Sequence, residues 1–495
     1  MFAKPNKPKI RTKTVTVRKP AAAASPRPPS ALATSRSVAG PPASRYQVTS
    51  AAPTKSREPA PQLQKRKLSP STPQWASSDD ESDDDDHDHD HAGKRRKTRP
   101  ASNSIEPMNL NRTLEPDVGR RIRMPEPATP AASPGTAAAV VATRGSLRQG
   151  MMMSRGDDAK SYKAAFTGCA KNPILELQYP SPTRPERFEA VHPLDAQEGY
   201  SPLEDIYFSI EEMIQHYLPP ELAAELASDT EGTVRLLKRA VTKDSPHDFQ
   251  AELARFNAII RDRLRDGTIQ RIMDAMHAIP LSLVKRITAQ SYNRIVSPQA
   301  HRLRKVKGKE TTYGELLTPF VHKIFAQTGL KSCHVFVDLG SGVGNVVLQA
   351  ALQTGAESWG VEKMELAAAL GSQQAAELQA RARLWNLSLG AIHLICGDFL
   401  DTPDIDAVLR RADVVLVNNK VFGEKLNNAL LQKFLDLKDG CKVVSLESFG
   451  GGAKQGLRHE QAIAGLFDEE RFESGTFSVS WVGESVEYYI ATKAR

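Results

Sequence analysis

Asp338 stands two residues ahead of Gly340, the first of three glycines at alternate positions with Gly342 and Gly344. Before it, Val335, Phe336 and Val337 begin a short apolar run of the kind that forms a buried parallel strand. After Gly344 the chain turns apolar at helical spacing. A strand that ends in glycines and reopens as a helix brings backbone amides against a ligand, because no Cβ holds the ligand off. A dinucleotide loop spaces its glycines Gly-x-Gly-x-x-Gly, with the pyrophosphate over the helix N-terminus. Here the third glycine comes one residue early and an acid precedes the first. That arrangement suits a ligand that is cationic where a dinucleotide is anionic.

S-adenosylmethionine, with a sulfonium, an ammonium and no phosphate, has this charge pattern. On these residues alone, a ligand-free tight turn and a nicotinamide site stay open. Three more polar side chains fall where strands are expected to end. Glu362 lies about 20 residues beyond the glycines, the distance at which an acid reaches ribose hydroxyls. Asp398 can accept from an exocyclic adenine amine with Phe399 packed on the ring, and Asn418 closes a further apolar run. Singly, each acid is better explained as a surface carboxylate. Together, four polar residues at four strand ends point to one nucleoside-binding crevice.

To bring those ends together the chain needs a parallel sheet with helices on both faces. Strands are expected at 335–339, 358–362, 392–395, 414–417 and 442–446, with helices at 346–352, 364–384 and 425–435. Two alternating runs, 476–481 and 485–490, predict a closing antiparallel hairpin. The fold class is therefore α/β, the seven-stranded architecture of S-adenosylmethionine-dependent methyltransferases, with its core over 301–495. Residues 160–300 read as an α-helical accessory part. Within it, a short strand lies between Pro173 and Pro180, and a helix over 203–217 places Ile206, Ile210, Met213, Ile214 and Tyr217 on one stripe. Pro219-Pro220 stops that helix. Further helices are expected at 249–264 and 281–295.

Residues 1–155 read as a disordered tail. The 33 prolines of the chain crowd its first third, among blocks of like charge with little apolar surface to offset the entropy of ordering. The knots Lys65-Arg66-Lys67 and Lys94-Arg95-Arg96-Lys97 flank an Asp-rich run at 79–91, and they suit nuclear import or contact with DNA phosphates. Another basic segment, His301, Arg302, Arg304, Lys305, Lys307 and Lys309, precedes the glycine loop. The net charge of +8 points the same way, toward an anionic partner with nucleic acid foremost. Cys169, Cys333, Cys396 and Cys441 lie far apart, two of them in expected core strands. This spacing predicts buried reduced thiols rather than disulfides or a zinc site, and no metal is expected. No apolar run approaches a membrane span and no signal-peptide stretch opens the chain, which predicts a soluble intracellular protein.

The chain closely resembles the disruptor-of-telomeric-silencing family of non-SET histone H3 lysine methyltransferases. The resemblance rests first on Tyr313-Gly314-Glu315, Val337-Asp338-Leu339-Gly340-Ser341-Gly342-Val343-Gly344 and Gly360-Val361-Glu362-Lys363. It continues through Gly397-Asp398-Phe399-Leu400, Val417-Asn418-Asn419 with Phe422-Gly423, and Ser478-Val479-Ser480-Trp481 ahead of Tyr488-Tyr489. By resemblance, S-adenosylmethionine is lined by Tyr313, Gly314, Glu315 and Leu316. Phe336, Val337, Asp338, Leu339, Gly340, Ser341, Gly342, Val343, Gly344 and Asn345 line it too. Glu362 is implied to hold the ribose, and Asp398 with Phe399 the adenine. Asn418 is implied to sit beside the methyl group, with Trp481 and Tyr488 walling a narrow lysine channel. The chain departs from the family at Lys420, where the family usually has an aromatic.

The resemblance implies methyl transfer to a lysine on the globular core of histone H3, on the nucleosome disc face. It places the protein in the nucleus, in chromatin regulation and telomeric silencing, with nucleosomal DNA held through the basic tracts. Two alternatives stay open: a methyltransferase of another protein or RNA, and a chromatin-binding module with a decayed site. Nothing in the sequence sets the number of methyl groups added or the oligomeric state.

Overall fold

The computed structural model describes residues 111–125, 147–195, 199–303, 314–449 and 465–494. Tyr313, Arg304, Lys305, Lys307, Lys309 and the basic and acidic tracts before residue 111 lie outside the described residues.

The N-terminal part begins with four short strands, β1 (Tyr162–Ala164), β2 (Ile174–Leu177), β3 (Glu186–Glu189) and β4 (Val191–Pro193). They pair antiparallel as β1 with β4 and β2 with β3. Helices follow: α1 (Pro202–Tyr217), α2 (Pro220–Leu226), α3 (Thr233–Thr242), α4 (Pro246–Arg265), α5 (Thr268–Asp274), α6 (Leu281–Ile295) and α7 (Ala300–Leu303). The accessory part is thus mixed rather than purely helical. Serine caps and prolines set its helix starts. Ser201 and Ser245 accept from the amides of Glu204 and Asp248, and a proline occupies the first helical position after each.

Next come α8 (Thr318–Thr328), β5 (Val335–Leu339), α9 (Asn345–Gln353), β6 (Glu357–Glu362), α10 (Glu365–Leu384), β7 (Ile392–Cys396) and α11 (Pro403–Leu409). After these come β8 (Val414–Val417), α12 (Glu424–Phe434), β9 (Lys442–Ser445), β10 (Phe467–Glu473) and β11 (Glu487–Lys493). One seven-stranded sheet results, in the order β10-β11-β9-β8-β5-β6-β7. It is parallel from β9 to β7, and β11 and β10 close it antiparallel.

The closing hairpin is displaced from its expected place. The run 476–481 is not a sheet strand; only Val479 makes a bridge, to Leu316. The partner of β11 is β10, whose Asp468, Glu469 and Glu470 lie exposed at the sheet edge. An edge strand has one ladder to satisfy and tolerates charge on both faces, so it carries no apolar alternation. The cysteines are also differently placed. All four are free, but only Cys441 is buried, its thiol pushed up to about 12 by burial, while Cys333 and Cys396 are exposed.

The accessory part and the sheet share one hydrophobic core. Tyr179, Ile210, Phe249 and Ile287 pack in the same cluster as Leu348, Leu352, Leu378 and Trp385 of α9, α10 and the turn after α10. A buried ion cluster crosses the same junction. Glu186 of β3 accepts from Arg294 of α6 at 2.8 Å and from Arg381 of α10 at 2.5 Å, with all three fully buried. Arg381 also pairs with Glu377, and Asp205 with Arg294 and Arg286. Three guanidinium groups thus face three carboxylates. Burial would raise the Glu186 carboxyl, but Arg294 and Arg381 more than reverse this and hold it well below the ordinary range.

Two segments assigned to the tail belong to this fold, so the boundary at residue 155 is too late for them. Arg148 accepts from Arg294 and Arg381 through its carbonyl, and the Gly150 amide donates to Glu186. Residues 111–125 form a strap. Arg120, buried, donates to the carbonyls of Leu352 and Gln353 at the C-terminus of α9. Arg123 pairs through two nitrogens with Asp274 of α5. The strap therefore holds the far end of the helix that the glycine loop begins.

Arg381→Met leaves Glu186 and Glu377 buried with one cation fewer, and should cost about 3–5 kcal/mol in denaturant unfolding. Arg265→Ala, which removes an exposed pair with Asp262, should stay within about 0.5 kcal/mol. Because the folded Glu186 carboxyl is depressed, its contribution is complete above the ordinary glutamate pKa of about 4.3 and fades as pH falls below it.

Candidate active site

Strand order reverses about β5, with β6 and β7 on one side and β8 and β9 on the other. In such sheets a crevice opens at the carboxyl ends of the strands flanking the reversal. Asp338 is the penultimate residue of β5, Glu362 ends β6, Asp398 lies two residues past β7 and Asn418 directly follows β8. Parallel register pairs Leu339 with Val417, which sets Gly340 and Asn418 at the same level of the sheet.

Each acid is held in a different way. Asp338 is buried in a strand whose every residue is buried. Burial first, and the nearby Glu362 charge second, push its carboxyl up to about 8. A carboxyl so placed disfavours its own charge, and a cation in the crevice would reverse that. Glu362 accepts from the Gly342 amide at 2.8 Å and the Met364 amide at 2.7 Å, tying the loop to the start of α10. Asp398 accepts from the Leu400 amide and from Lys363 at 2.8 Å. Burial opposes its charge, but Lys363 and that amide hold it below the ordinary range. Phe399 and Phe422 lie 6.1 Å apart beside it.

The turn requires its glycines. Gly340 and Gly344 adopt φ of +89° and +80°, where a side chain is strained. At Gly360 a Cβ would meet Ser341 Oγ at 2.8 Å, so β6 must stay bare for the loop to pass.

The two asparagines after β8 do different work. Asn418 is half-buried and its amide has no hydrogen-bond partner among the described residues. Asn419 is fully buried. Its Oδ1 accepts from the amides of Leu446 and Glu447, and its Nδ2 donates to the Glu447 carbonyl and to Asn427. It clamps the end of β8 to the end of β9.

One wall comes from distant parts of the chain. Ser480 and Glu315 exchange backbone contacts, with the Ser480 amide donating to the Glu315 carbonyl at 2.9 Å and the Glu315 amide to Ser480 Oγ at 2.9 Å. This pairing lays Trp481 over Gly314, where a Cβ would meet the indole at 2.6 Å.

Other expected site residues are more deeply packed. Phe336 and Val337 are fully buried strand positions, Phe336 against Phe325 at 5.7 Å, and Val343 packs with Tyr292 and Leu370. They pack beneath the loop. Tyr488 sits at the correct strand end, but its ring is buried between Phe320 and Phe472 and its hydroxyl donates to Gln327 at 2.5 Å. It does not face an open channel here. Leu316 is buried, and Asn345 Oδ1 accepts from Gln374. Asn419, Lys363 and Ser480 stand inside the motifs that carry the family resemblance, and Glu447 stands outside them.

Residues 292–493 match the family model described as histone methylation protein DOT1. A protein of Emericella nidulans named histone-lysine N-methyltransferase, H3 lysine-79 specific, is 45% identical over 334 residues, 67% of this chain and 66% of its own length. An Aspergillus fumigatus protein of the same name is 43% identical over 337 residues, 68% of this chain and 67% of its own length. This chain belongs to the DOT1 family. The match spans about two thirds of the length of these relatives. Against DOT1 membership the donor set reads coherently. Glycines, two carboxylates at strand ends and an apolar ring beside a third fit S-adenosylmethionine.

At neutral pH the ligand-free protein keeps Asp338 largely protonated, since its carboxyl titrates at about 8. Binding of S-adenosylmethionine, followed by calorimetry in buffers of different ionisation enthalpy, should release close to one proton, and Asp338→Asn should abolish that release. Asn419→Ala strands two backbone amides, and should cost about 2–3 kcal/mol in unfolding.

Proposed function

We propose that this protein is a histone-lysine N-methyltransferase, acting in the nucleus on a lysine of the globular core of histone H3, at the nucleosome disc face. The observation that carries this reading is the Asn418 amide, which has no hydrogen-bond partner among the described residues. It stands level with Gly340 at the strand-order reversal, directly past the end of β8. The names of its relatives supply the acceptor, histone H3.

When bound, S-adenosylmethionine supplies an electrophilic methyl group; the protein supplies alignment and a dry approach. Asp338 takes the charge of the ligand's amino-acid end, and Glu362 and Asp398 fix its sugar and base. Asn418 is placed to accept a hydrogen bond from the incoming amine through its side-chain oxygen and so orient it. A lysine ammonium near pKa 10.4 is no nucleophile until it loses its proton. Closing Trp481 over the approach removes water and favours the neutral amine, so no dedicated base is required. Nucleosomal DNA is held by the basic tracts upstream of residue 111 and before the glycine loop.

The test is transfer of labelled methyl onto reconstituted nucleosomes, with the modified residue mapped. Wild type should label a core lysine of histone H3 and leave RNA unlabelled. Asn418→Ala should lower turnover about a hundredfold with affinity for S-adenosylhomocysteine unchanged. Labelling of RNA in place of histone H3 would overturn the reading.

A further inference from the structure

Lys420, two residues past Asn418, carries a charge of the same sign as a lysine ammonium. In the structure Lys420 Nζ lies 2.5 Å from Glu447 Oε1, and both side chains are nearly half exposed, at 44% and 46%. Glu447 is not there by accident of a loose loop. Its amide and carbonyl are both held by the side chain of Asn419, the residue next to Asn418. The clamp therefore fixes the backbone of Glu447 against the residue next to Asn418. The pair itself is exposed enough to exchange partners at little cost.

We infer that Glu447 is the group that receives the substrate's ammonium at the mouth of the site, with Lys420 as its place-holder in the free enzyme. The inference rests on the reading of the acceptor as a lysine. An aromatic wall offers an incoming ammonium the face of a ring. A wall carrying Lys420 offers repulsion unless a carboxylate neutralises it, and Glu447 does so. As the substrate enters, its ammonium replaces that of Lys420 on the same carboxylate. Charge at the mouth is conserved until the amine moves on toward Asn418 and gives up its proton to solvent. This makes the two residues a specificity pair that acts on substrate capture rather than on methyl transfer itself.

The experiment is steady-state kinetics of the full chain on reconstituted nucleosomes, comparing wild type, Glu447→Gln, Lys420→Met and the double variant. Glu447→Gln removes the acceptor and leaves Lys420 uncompensated, so KM for nucleosomes should rise about 3- to 10-fold with kcat within about twofold. Lys420→Met frees the acceptor and should lower KM. Adding Lys420→Met to Glu447→Gln should recover part of the loss, and raising salt should shrink every difference. Affinity for S-adenosylhomocysteine should be equal in all four. A Glu447→Gln loss confined to kcat, or one that Lys420→Met does not relieve, overturns the inference and leaves the proposed activity standing. Absence of nucleosome methylation by wild type overturns both.

Discussion

Glu186 between Arg294 and Arg381 is the contact on which the arrangement of the molecule turns. It joins the β-strand layer of the N-terminal part to α6, and α6 to α10 of the sheet domain. Charges buried this deeply cannot part from one another without leaving an uncompensated ion in a low-dielectric interior. The forked geometry of guanidinium also fixes direction, which an apolar contact would not. Since α10 begins just past Glu362, the orientation of the accessory part is transmitted to the crevice through one helix. The accessory helices are therefore part of the catalytic body and not an appendage to it.

The site departs from the rules that build the rest of the sheet. Every neighbour of Asp338 in β5 is apolar and buried, so its carboxyl lies in an apolar strand. Asn418 has an amide with nothing to bind among the described residues, one residue before Asn419, whose amide is fully engaged. Such local costs are expected where a protein keeps binding capacity in reserve for a ligand. Their coincidence at one strand-order reversal separates a site from scattered irregularities.

The parallel strands β5, β6, β7, β8 and β9 were legible because buried strands must be continuously apolar, and the glycine turn because side chains are strained at its backbone angles. Four strand-end side chains followed from those boundaries. β10 was not legible, since an edge strand reading Phe-Asp-Glu-Glu-Arg-Phe-Glu satisfies hydrogen bonding without an apolar face. The alternating run ending in Trp481 was misread for the converse reason: its apolar residues serve a wall and one bridge, not a ladder. The strap at 111–125 hides because it is anchored by Arg120 and Arg123, whose partners lie more than a hundred residues away. The role of Asn419 hides because most of its partners are backbone groups, which leave no trace in side-chain pattern.

The pairing of Glu315 with Ser480 joins the segment before the first sheet strand to the segment before the last. Contacts of such long sequence separation form late, after shorter loops have closed. During synthesis the glycine turn and its three acids can be in place while Gly314 still lacks its indole cover. The cover over Gly314 therefore depends on the segment between β10 and β11 meeting the segment before α8.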